Sequence, residues 1–295
     1  MTKQNRSVVI LAMVIIFALI AAIGFLLVRG SLQDSSNPQS SFNNEKVEDA
    51  VALFSDFKAC KEKVLSQYVN NSHNPVSLPE ESQFFCWNKE KETFEKTDFG
   101  LTNENPDLSR DRLSKTQSAD LDSDGINEEY ILQGGKLTIR GNAETIWQSA
   151  DDWWVEDFAI ADSTNDGVAD INLSVWKSGS FGKFKPIWVK NNDPSVKNHF
   201  FIFNWEDGKI KPVWQSSNLD APNCQILIDD INDDGENEII VLEGDYADVP
   251  DCSGKYIAVW KWGEWGFLNE WRSEEGEFEG MGVEEVGENK CFIGF

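Results

Sequence analysis

Three acidic segments between residues 120 and 238 repeat one pattern without gaps, and no other feature constrains the fold of this chain more. They begin at Asp120, Asp162 and Asp230, and each places oxygen-bearing side chains at positions 1, 3, 5 and 9 and glycine at position 6. Alternate residues of such a tight loop can point inward, while the glycine accepts a backbone turn that a side chain would obstruct. Because hard divalent cations take about six to eight oxygen ligands, the pattern predicts three calcium-binding loops. They are named here loop one (residues 120–128), loop two (residues 162–170) and loop three (residues 230–238).

The first half of the pattern also fits an EF-hand, whose loop needs a bidentate glutamate at position 12 and a helix on each side. Position 12 is Ile131, Leu173 and Val241 in the three segments, and each of these residues lies in a strand-like run. The carboxylate falls at position 9 every time. The sequence therefore excludes an EF-hand and predicts loops that lead into β-strands.

With these loops, the chain resembles the FG-GAP/VCBS repeat family, the calcium-loop repeats of integrin-α-like β-propellers and of many bacterial surface proteins. The resemblance covers mainly residues 116–295, and in that family the ion usually fixes a turn between blades and takes no part in chemistry. It implies that side chains at positions 1, 3, 5 and 9 and the backbone carbonyl at position 7 hold Ca²⁺. The implied ligands are Asp120, Asp122, Asp124, Ile126 and Glu128 in loop one, Asp162, Thr164, Asp166, Val168 and Asp170 in loop two, and Asp230, Asn232, Asp234, Glu236 and Glu238 in loop three.

The loops also depart from the family pattern at several positions. Thr164 is a neutral and weaker ligand at position 3, and glutamate replaces the usual aspartate at two of the ninth positions, Glu128 and Glu238. No Phe-Gly and Gly-Ala-Pro signature accompanies the loops. Loop two is therefore the weakest of the three predicted sites.

Short runs rich in β-branched and aromatic residues, separated by Gly, Asp and Asn, predict an antiparallel β-domain over residues 80–295. The predicted strands are Phe84–Phe94, Tyr130–Ile139, Ile171–Trp176, Ile187–Lys190, Phe200–Trp205, Ile210–Trp214, Glu238–Leu242 and Tyr256–Trp262. Glu206-Asp207-Gly208-Lys209 predicts a hairpin turn. The spacing of the loops suits blades of about four strands, and residues 282–293 resemble a fourth unit that has lost its loop. We expect a mainly β, propeller-like array of about four FG-GAP/VCBS-type blades, with its closure left open.

The N-terminal region predicts a membrane anchor. Residues 8–28 form an uninterrupted apolar run, and at about 1.5 Å per residue it spans a hydrocarbon core of about 30 Å. We expect a retained single-pass transmembrane helix after a cytoplasmic tail of residues 1–7, with a cleaved signal peptide as the alternative. Lys3 and Arg6 precede the run, so the positive-inside bias predicts a cytoplasmic N-terminus and an extracytoplasmic C-terminal domain at the cell membrane.

Two further segments separate the anchor from the β-domain. Residues 29–44 are rich in Ser, Asn and Gln, which predicts a flexible stalk. Within residues 45–79, apolar residues recur at helical spacing from Glu45 to Val69, and a cluster of turn formers around Pro75 follows. This part predicts one amphipathic helix and a linker.

Five cysteines show no zinc-site spacing. In an oxidising compartment, Cys60 with Cys86 and Cys224 with Cys252 are the simplest sequence-local pairs, and other pairings stay open. Cys291 is then left over.

Composition narrows the possible functions. The chain has 51 acidic and 26 basic residues, a formal net charge of −25, which argues against a nucleic-acid partner. Only two histidines are present, and the sequence contains no nucleophile elbow, P-loop, dinucleotide-binding, zincin or kinase signature. We therefore predict that the protein is not an enzyme.

Tryptophans are frequent, and two interpretations of them stay open. They either form a platform that stacks on sugar rings or fill the core between blades. Trp153, Trp154 and Trp265 are predicted to be exposed, whereas Trp260 and Trp262 lie two apart on one strand face, as core residues do.

Together these features predict a cell-surface, calcium-binding module for adhesion or ligand binding. Its ligand would be a glycan, a wall polymer or another protein. Two alternatives remain, an enzyme or accessory subunit of polysaccharide metabolism and a structural component of an envelope complex.

Overall fold

The computed structural model describes residues 52, 54–62, 82–97, 114–142, 144–181, 187, 193–286 and 289–295. The chain divides into two units, residues 1–44 and 45–295, and all described residues belong to the second. The predicted cytoplasmic tail, transmembrane anchor and stalk lie outside the described residues. Among the helical residues that the model does describe, none belongs to a helix long and apolar enough to cross a bilayer.

The described part of the chain is mainly β-structure, as predicted. Its strands are β1 (Gln83–Asn88), β2 (Thr93–Thr97), β3 (Ser114–Ala119), β4 (Glu128–Gln133), β5 (Lys136–Gly141), β6 (Glu144–Gln148), β7 (Trp154–Ala161), β8 (Asp170–Ser178), β9 (Val196–Glu206), β10 (Lys209–Gln215), β11 (Asn223–Asp229), β12 (Glu238–Glu243), β13 (Tyr256–Trp262), β14 (Phe267–Arg272), β15 (Met281–Val286) and β16 (Asn289–Gly294). A short 3₁₀ turn covers Tyr246–Asp248.

These strands form four antiparallel sheets of four strands each. Sheet one has the order β3-β4-β5-β6, sheet two β7-β8-β9-β10, sheet three β11-β12-β13-β14 and sheet four β15-β16-β1-β2. The arrangement is consistent with the predicted propeller-like array of about four blades. Sheet four combines the last two of the described strands with the first two, so the two ends of the described β-structure meet in one sheet.

Burial accounts for part of the uneven prediction of the strands, although β7, which is also largely buried, was not predicted. β8 and β12 are buried along almost their whole length and consist of the apolar runs that the sequence analysis identified. β3 and β6 are polar and largely exposed, with the sequences SKTQSA and ETIWQ, and they were not predicted. Hydrogen bonding to a neighbouring strand, which hydropathy does not record, holds these strands in place.

Hydrogen bonds between side chains and backbone connect the first strands of successive sheets. In each of these bonds, a side-chain oxygen on the first strand of one sheet accepts a backbone N–H from the first strand of the next sheet. The bonds run from Ile160 N to Gln117 Oε1 (3.1 Å), from Ile226 N to Asp157 Oδ2 (2.8 Å) and from Met281 N to Gln225 Oε1 (2.9 Å). The first strands of sheets one to four therefore follow one another as the inner strands of propeller blades do.

Two disulfides lie within the described part of the chain, and one of them corrects the predicted pairing. Cys224 bonds to Cys252 as predicted. The pairing of Cys60 with Cys86 was wrong, since Cys86 bonds to Cys291 and Cys60 is free and exposed. The reason is the register of sheet four, which places Cys86 directly opposite Cys291 on β1 and β16.

Residues 54–62 are helical and pack on sheet two. Phe54 and Phe57 are buried, and the Phe57 ring lies 5.2 Å from the ring of Trp176. Lys61 Nζ lies 2.6 Å from Glu156 Oε2, and both side chains are mostly buried. The apolar face of the predicted amphipathic helix thus covers part of the sheet.

Local predictions at the turns and tryptophans had mixed outcomes. The hairpin at residues 206–209 is confirmed, with positive φ angles of 53° at Asp207 and 73° at Gly208. Ile187 lies in a turn and is 97 % exposed, so a strand beginning there was wrong, and residues 188–190 lie outside the described residues. Trp265 is 86 % exposed as predicted, whereas Trp154 is 3 % exposed because it belongs to a buried core cluster.

Candidate functional site

The three acidic loops occupy equivalent places in three sheets. Each loop connects the first strand of a sheet to the second, loop one between β3 and β4, loop two between β7 and β8, and loop three between β11 and β12. The repeated sequence therefore corresponds to a repeated position in the fold.

The backbone of the three loops is the same. The fourth and the sixth residue of each loop have positive φ angles, and the sixth is the glycine that the sequence analysis singled out. The angles are 61°, 57° and 59° at Ser123, Asn165 and Asp233, and 86°, 86° and 89° at Gly125, Gly167 and Gly235.

The first and fifth side chains organise each turn. In loop one, Asp120 accepts the backbone N–H groups of Asp124 (3.1 Å) and Gly125 (2.9 Å), and Asp124 Oδ1 accepts that of Ile126 (2.8 Å). Asp162 with Asp166, and Asp230 with Asp234, make the equivalent bonds in the other two loops. A carboxylate has about four lone-pair sites, so these bonds leave oxygen lone pairs available.

The seventh residues fit a role for their backbone. Ile126 and Val168 are 48 % and 44 % exposed, although both are apolar. Their side chains are apolar and face solvent, so in loops one and two only the main chain of position 7 is suited to ligation, as the family resemblance implies.

The ninth residues are buried carboxylates at the starts of β4, β8 and β12. Glu128 is 6 % exposed, and Asp170 and Glu238 are fully buried. Glu128 and Glu238 each accept a backbone N–H from the second residue of their own loop. Burial raises the pKa of Asp170 to about 6 and that of Glu238 to about 7, and it also raises the pKa of Glu128. A nearby cation, like the hydrogen bonds these carboxylates already accept, stabilises their charged form.

Loop one brings its acidic side chains together. Asp120, Asp122 and Asp124 each offer a carboxylate oxygen, and these oxygens lie within 4.8 Å of one another. Among the described lysines and arginines, none forms an ion pair with these three residues or with Glu128. Loop one therefore presents a compact set of oxygens that fits a divalent cation.

Two buried oxygens, one in loop two and one on the strand that pairs beside it, have no hydrogen-bond partner among the described residues. One is Asp170 Oδ1, and the other is Asn204 Oδ1 on β9. β8 and β9 pair with Ile171 opposite Phe203, so one residue further Asp170 stands opposite Asn204. Leaving such oxygens unsatisfied costs about 1–3 kcal/mol each, which a bound cation would offset. Loop two, the weakest site by sequence, thus has two oxygens that a cation would satisfy, although its three aspartates do not form a compact carboxylate group like that of loop one.

Asn204 was not among the predicted ligands. It lies 34 residues after the end of loop two and belongs to no acidic motif. The signal that identifies it is its cross-strand position opposite the ninth residue of the loop.

Loop three differs because a lysine already lies among its acidic side chains. Lys261 Nζ is 2.5 Å from Asp234 Oδ2, 3.0 Å from Glu236 Oε2 and 3.5 Å from Glu238 Oε1. Asn232 Nδ2 donates to Glu238 Oε1 at 3.1 Å. The residues of loop three therefore fit a divalent cation less well than those of the other loops.

Loops two and three are neighbours joined by hydrogen bonds. Asn237 N donates to Asn165 Oδ1 at 2.7 Å, and Asn237 Nδ2 donates to the backbone oxygen of Asp162 at 2.8 Å. Asn165 Nδ2 donates in return to the backbone oxygen of Asn237 at 3.2 Å. A change at one of these loops can therefore affect the other.

A groove of about 670 Å³ lies beside loop three, between sheets three and four. Two tryptophans and several charged residues line it. The lining residues are Trp87, Lys89, Glu92, Thr93, Phe94, Asn232, Asp233, Asp234, Glu270 and Trp271. Concave surfaces with aromatic side chains and a few convergent polar groups are typical of binding sites.

The three acidic loops thus have the same backbone conformation but differ in whether a positive charge contacts them. Loops one and two have no cationic partner among the described residues, whereas loop three has Lys261.

Neither a scan against models of protein families nor a search of curated proteins found a match to this chain.

Proposed function

We propose that this protein is a calcium-stabilised surface module of the FG-GAP/VCBS type, anchored in the cell membrane by residues 8–28 with its C-terminal domain outside the cytoplasm. Its function is adhesion or ligand binding, and it is not an enzyme. The observation that best supports calcium binding is the pair of unpartnered buried oxygens of Asp170 and Asn204, at a loop whose backbone matches two others. The single-pass anchor is supported by the apolar run alone.

The chemistry of the donor set indicates the role of the metal. In loop one, Asp120, Asp122, Asp124 and Glu128 supply carboxylates and Ile126 supplies a carbonyl, which is the hard oxygen set that Ca²⁺ prefers. A bound ion would relieve the mutual repulsion of the carboxylates and hold the turn between two strands. Its role is therefore structural.

The groove beside loop three is a candidate for the ligand surface. Trp87 and Trp271 line it while packing against the buried ring of Phe94. Glu92, Asp233 and Glu270 offer acceptors for hydroxyl or amino groups. A glycan, a wall polymer or a protein segment would suit this combination. Binding of polysaccharide arrays to the full-length chain and to a Trp271→Ala variant tests the assignment, and equal binding by both would exclude the groove.

A second candidate function has one observation in its favour. Glu270 lines the groove, and partial desolvation, opposed by the charge of Lys261, raises the pKa of its carboxyl although the residue is exposed. A carboxyl with a raised pKa in a cleft is typical of a general acid, so an enzyme of polysaccharide metabolism is the alternative. Hydrolysis of a polysaccharide that stops in Glu270→Gln would favour this alternative, and binding without turnover would favour adhesion.

Calcium is expected to raise the melting temperature of the full-length chain. Extracellular calcium modules bind at about 10⁻⁴ to 10⁻³ M, so at about millimolar free calcium each occupied loop adds on the order of 0.4–1.4 kcal/mol. Asp124→Ala removes a ligand of loop one and is expected to reduce this gain. Glu129→Ala is the matched control, since Glu129 follows the same loop but is exposed on the other face of β4. Calorimetric scans in calcium and in chelator measure the effect, and coinciding curves would exclude metal from the function.

A further inference from the structure

The residue opposite the ninth position of each loop differs between the three sheets. In sheet three, Glu238 pairs directly with Lys261 across β12 and β13. The corresponding residue in sheet two is Asn204. In sheet one it is Gly141, which follows one residue after the pairing of Glu129 with Arg140. A Cβ atom built on Gly141 would lie 3.6 Å from Glu128 Oε1, which confirms that this position faces the ninth residue.

The residue opposite the ninth position of a loop decides whether a positive charge contacts the carboxylates of that loop. Glycine contributes no side chain at loop one, where Ile146 Cδ1 would lie 2.6 Å from a Cβ atom built on it. Asparagine adds a neutral oxygen at loop two, and lysine places an ammonium group at loop three. The Lys261 side chain is 19 % exposed, and Glu238 is fully buried. Because two such groups are costly to bury separately, their contact stabilises both charges.

We infer that Lys261 is the resident cation of loop three, so that this loop is held without metal while loops one and two each take a divalent ion. The inference deepens the proposed calcium binding and rests on it. Lys261 contacts the oxygens of positions 5, 7 and 9, and two of these three positions are implied to ligate through their side chains. A divalent ion at loop three would have to displace the ammonium group or lie against it, at a cost in like-charge repulsion.

The amide of Asn232 supports the same assignment. Its Oδ1 accepts the backbone N–H of Asp234 at 2.9 Å, and its Nδ2 donates to Asp234 Oδ2 and Glu238 Oε1. The third position of this loop therefore presents hydrogen-bond donors to the carboxylates. In loop three, both carboxylate oxygens of Asp230, Asp234 and Glu238 accept N–H groups.

The number of calcium ions bound per chain tests the inference. Equilibrium dialysis with radioactive calcium at about 5 mM, above the usual range for extracellular modules, is expected to give two ions for the full-length wild-type chain. Lys261→Met keeps the aliphatic side chain and removes the charge, so it is expected to bind three. Lys290→Met is the matched control, because Lys290 contacts Asp229 at 2.7 Å, just before loop three, without contacting the loop's ligands. It is expected to bind two.

A second variant tests the inference even if Lys261→Met does not fold, because it adds a lysine at loop two and leaves loop three unchanged. Asn204→Lys brings the lysine of sheet three to the equivalent position of loop two, and it is expected to reduce the count from two ions to one. Circular dichroism melts of each variant with and without calcium establish that the proteins are folded. Calcium is also expected to stabilise Lys261→Met more than the wild type.

The outcomes separate the inference from the proposed function. Three ions on the wild-type chain would overturn the role of Lys261 and leave calcium binding intact. Two ions on both the wild type and a folded Lys261→Met would also overturn it. No calcium on either protein would overturn the inference together with the proposed function.

Discussion

Replacing Cys86 and Cys291 together by alanine is expected to lower the free energy of unfolding by roughly 5 kcal/mol. The disulfide joins residues 205 positions apart, and in the chain-entropy model a cross-link that closes a longer loop restricts the unfolded chain more. This bond also connects β1 to β16, the pairing through which the two ends of the β-domain share sheet four. Urea unfolding of the full-length chain, followed by tryptophan fluorescence, measures the loss.

The second disulfide is the matched control for this prediction. Cys224 and Cys252 are 28 residues apart, so the same model gives a smaller loss of roughly 3–4 kcal/mol for their double alanine variant. Peptide mapping of the non-reduced wild type should recover Cys60 as the free thiol. Recovery of a peptide that joins Cys60 to Cys86 would contradict the pairing in sheet four.

Acidification is expected to destabilise the protein through His199. This histidine lies on β9 and is 1 % exposed, with Nδ1 at 3.2 Å from the backbone oxygen of Ser216. Its Nε2 has no hydrogen-bond partner among the described residues. Burial, with the nearby Lys177, lowers the pKa of His199 from its ordinary 6.5 to about 4.

The sign of the effect follows from which state takes up the proton first. Below pH 6.5 the unfolded chain protonates His199 and the folded chain does not, so the stability present above pH 6.5 is lost as the pH falls to about 4. The loss is on the order of 3 kcal/mol. His199→Asn cannot titrate but keeps an N–H donor, so its unfolding free energy should fall less over the same range.

The wild type and His199→Asn contain the same carboxylates. The difference between their unfolding free energies therefore reports the titration of His199. Urea unfolding at several pH values between 7.5 and 4.5 measures it. A His73→Asn variant gives the contribution of the other histidine. Parallel pH profiles for the wild type and His199→Asn would contradict the prediction.

The sequence alone was sufficient for the features that depend on neighbouring residues. Gly125, Gly167 and Gly235 have positive φ angles, as their loops were predicted to need. The prediction was possible because a tight turn requires this backbone conformation at a single position, which glycine adopts readily. The hairpin at Asp207 and Gly208 was predictable for the same reason. The buried strands β8 and β12 were predicted because their apolar runs record burial directly.

Strand register decided the rest, and a sequence does not state it. Cys86 meets Cys291 and Glu238 faces Lys261 because of the alignment of paired strands, and the Ile171–Phe203 pair puts Asp170 and Asn204 one residue further along. A shift of one residue would turn each side chain to the other face. The sequence therefore determined that three loops of one kind exist and where each begins. Only the tertiary structure decided which of them contains its own positive charge, since that charge comes from a neighbouring strand.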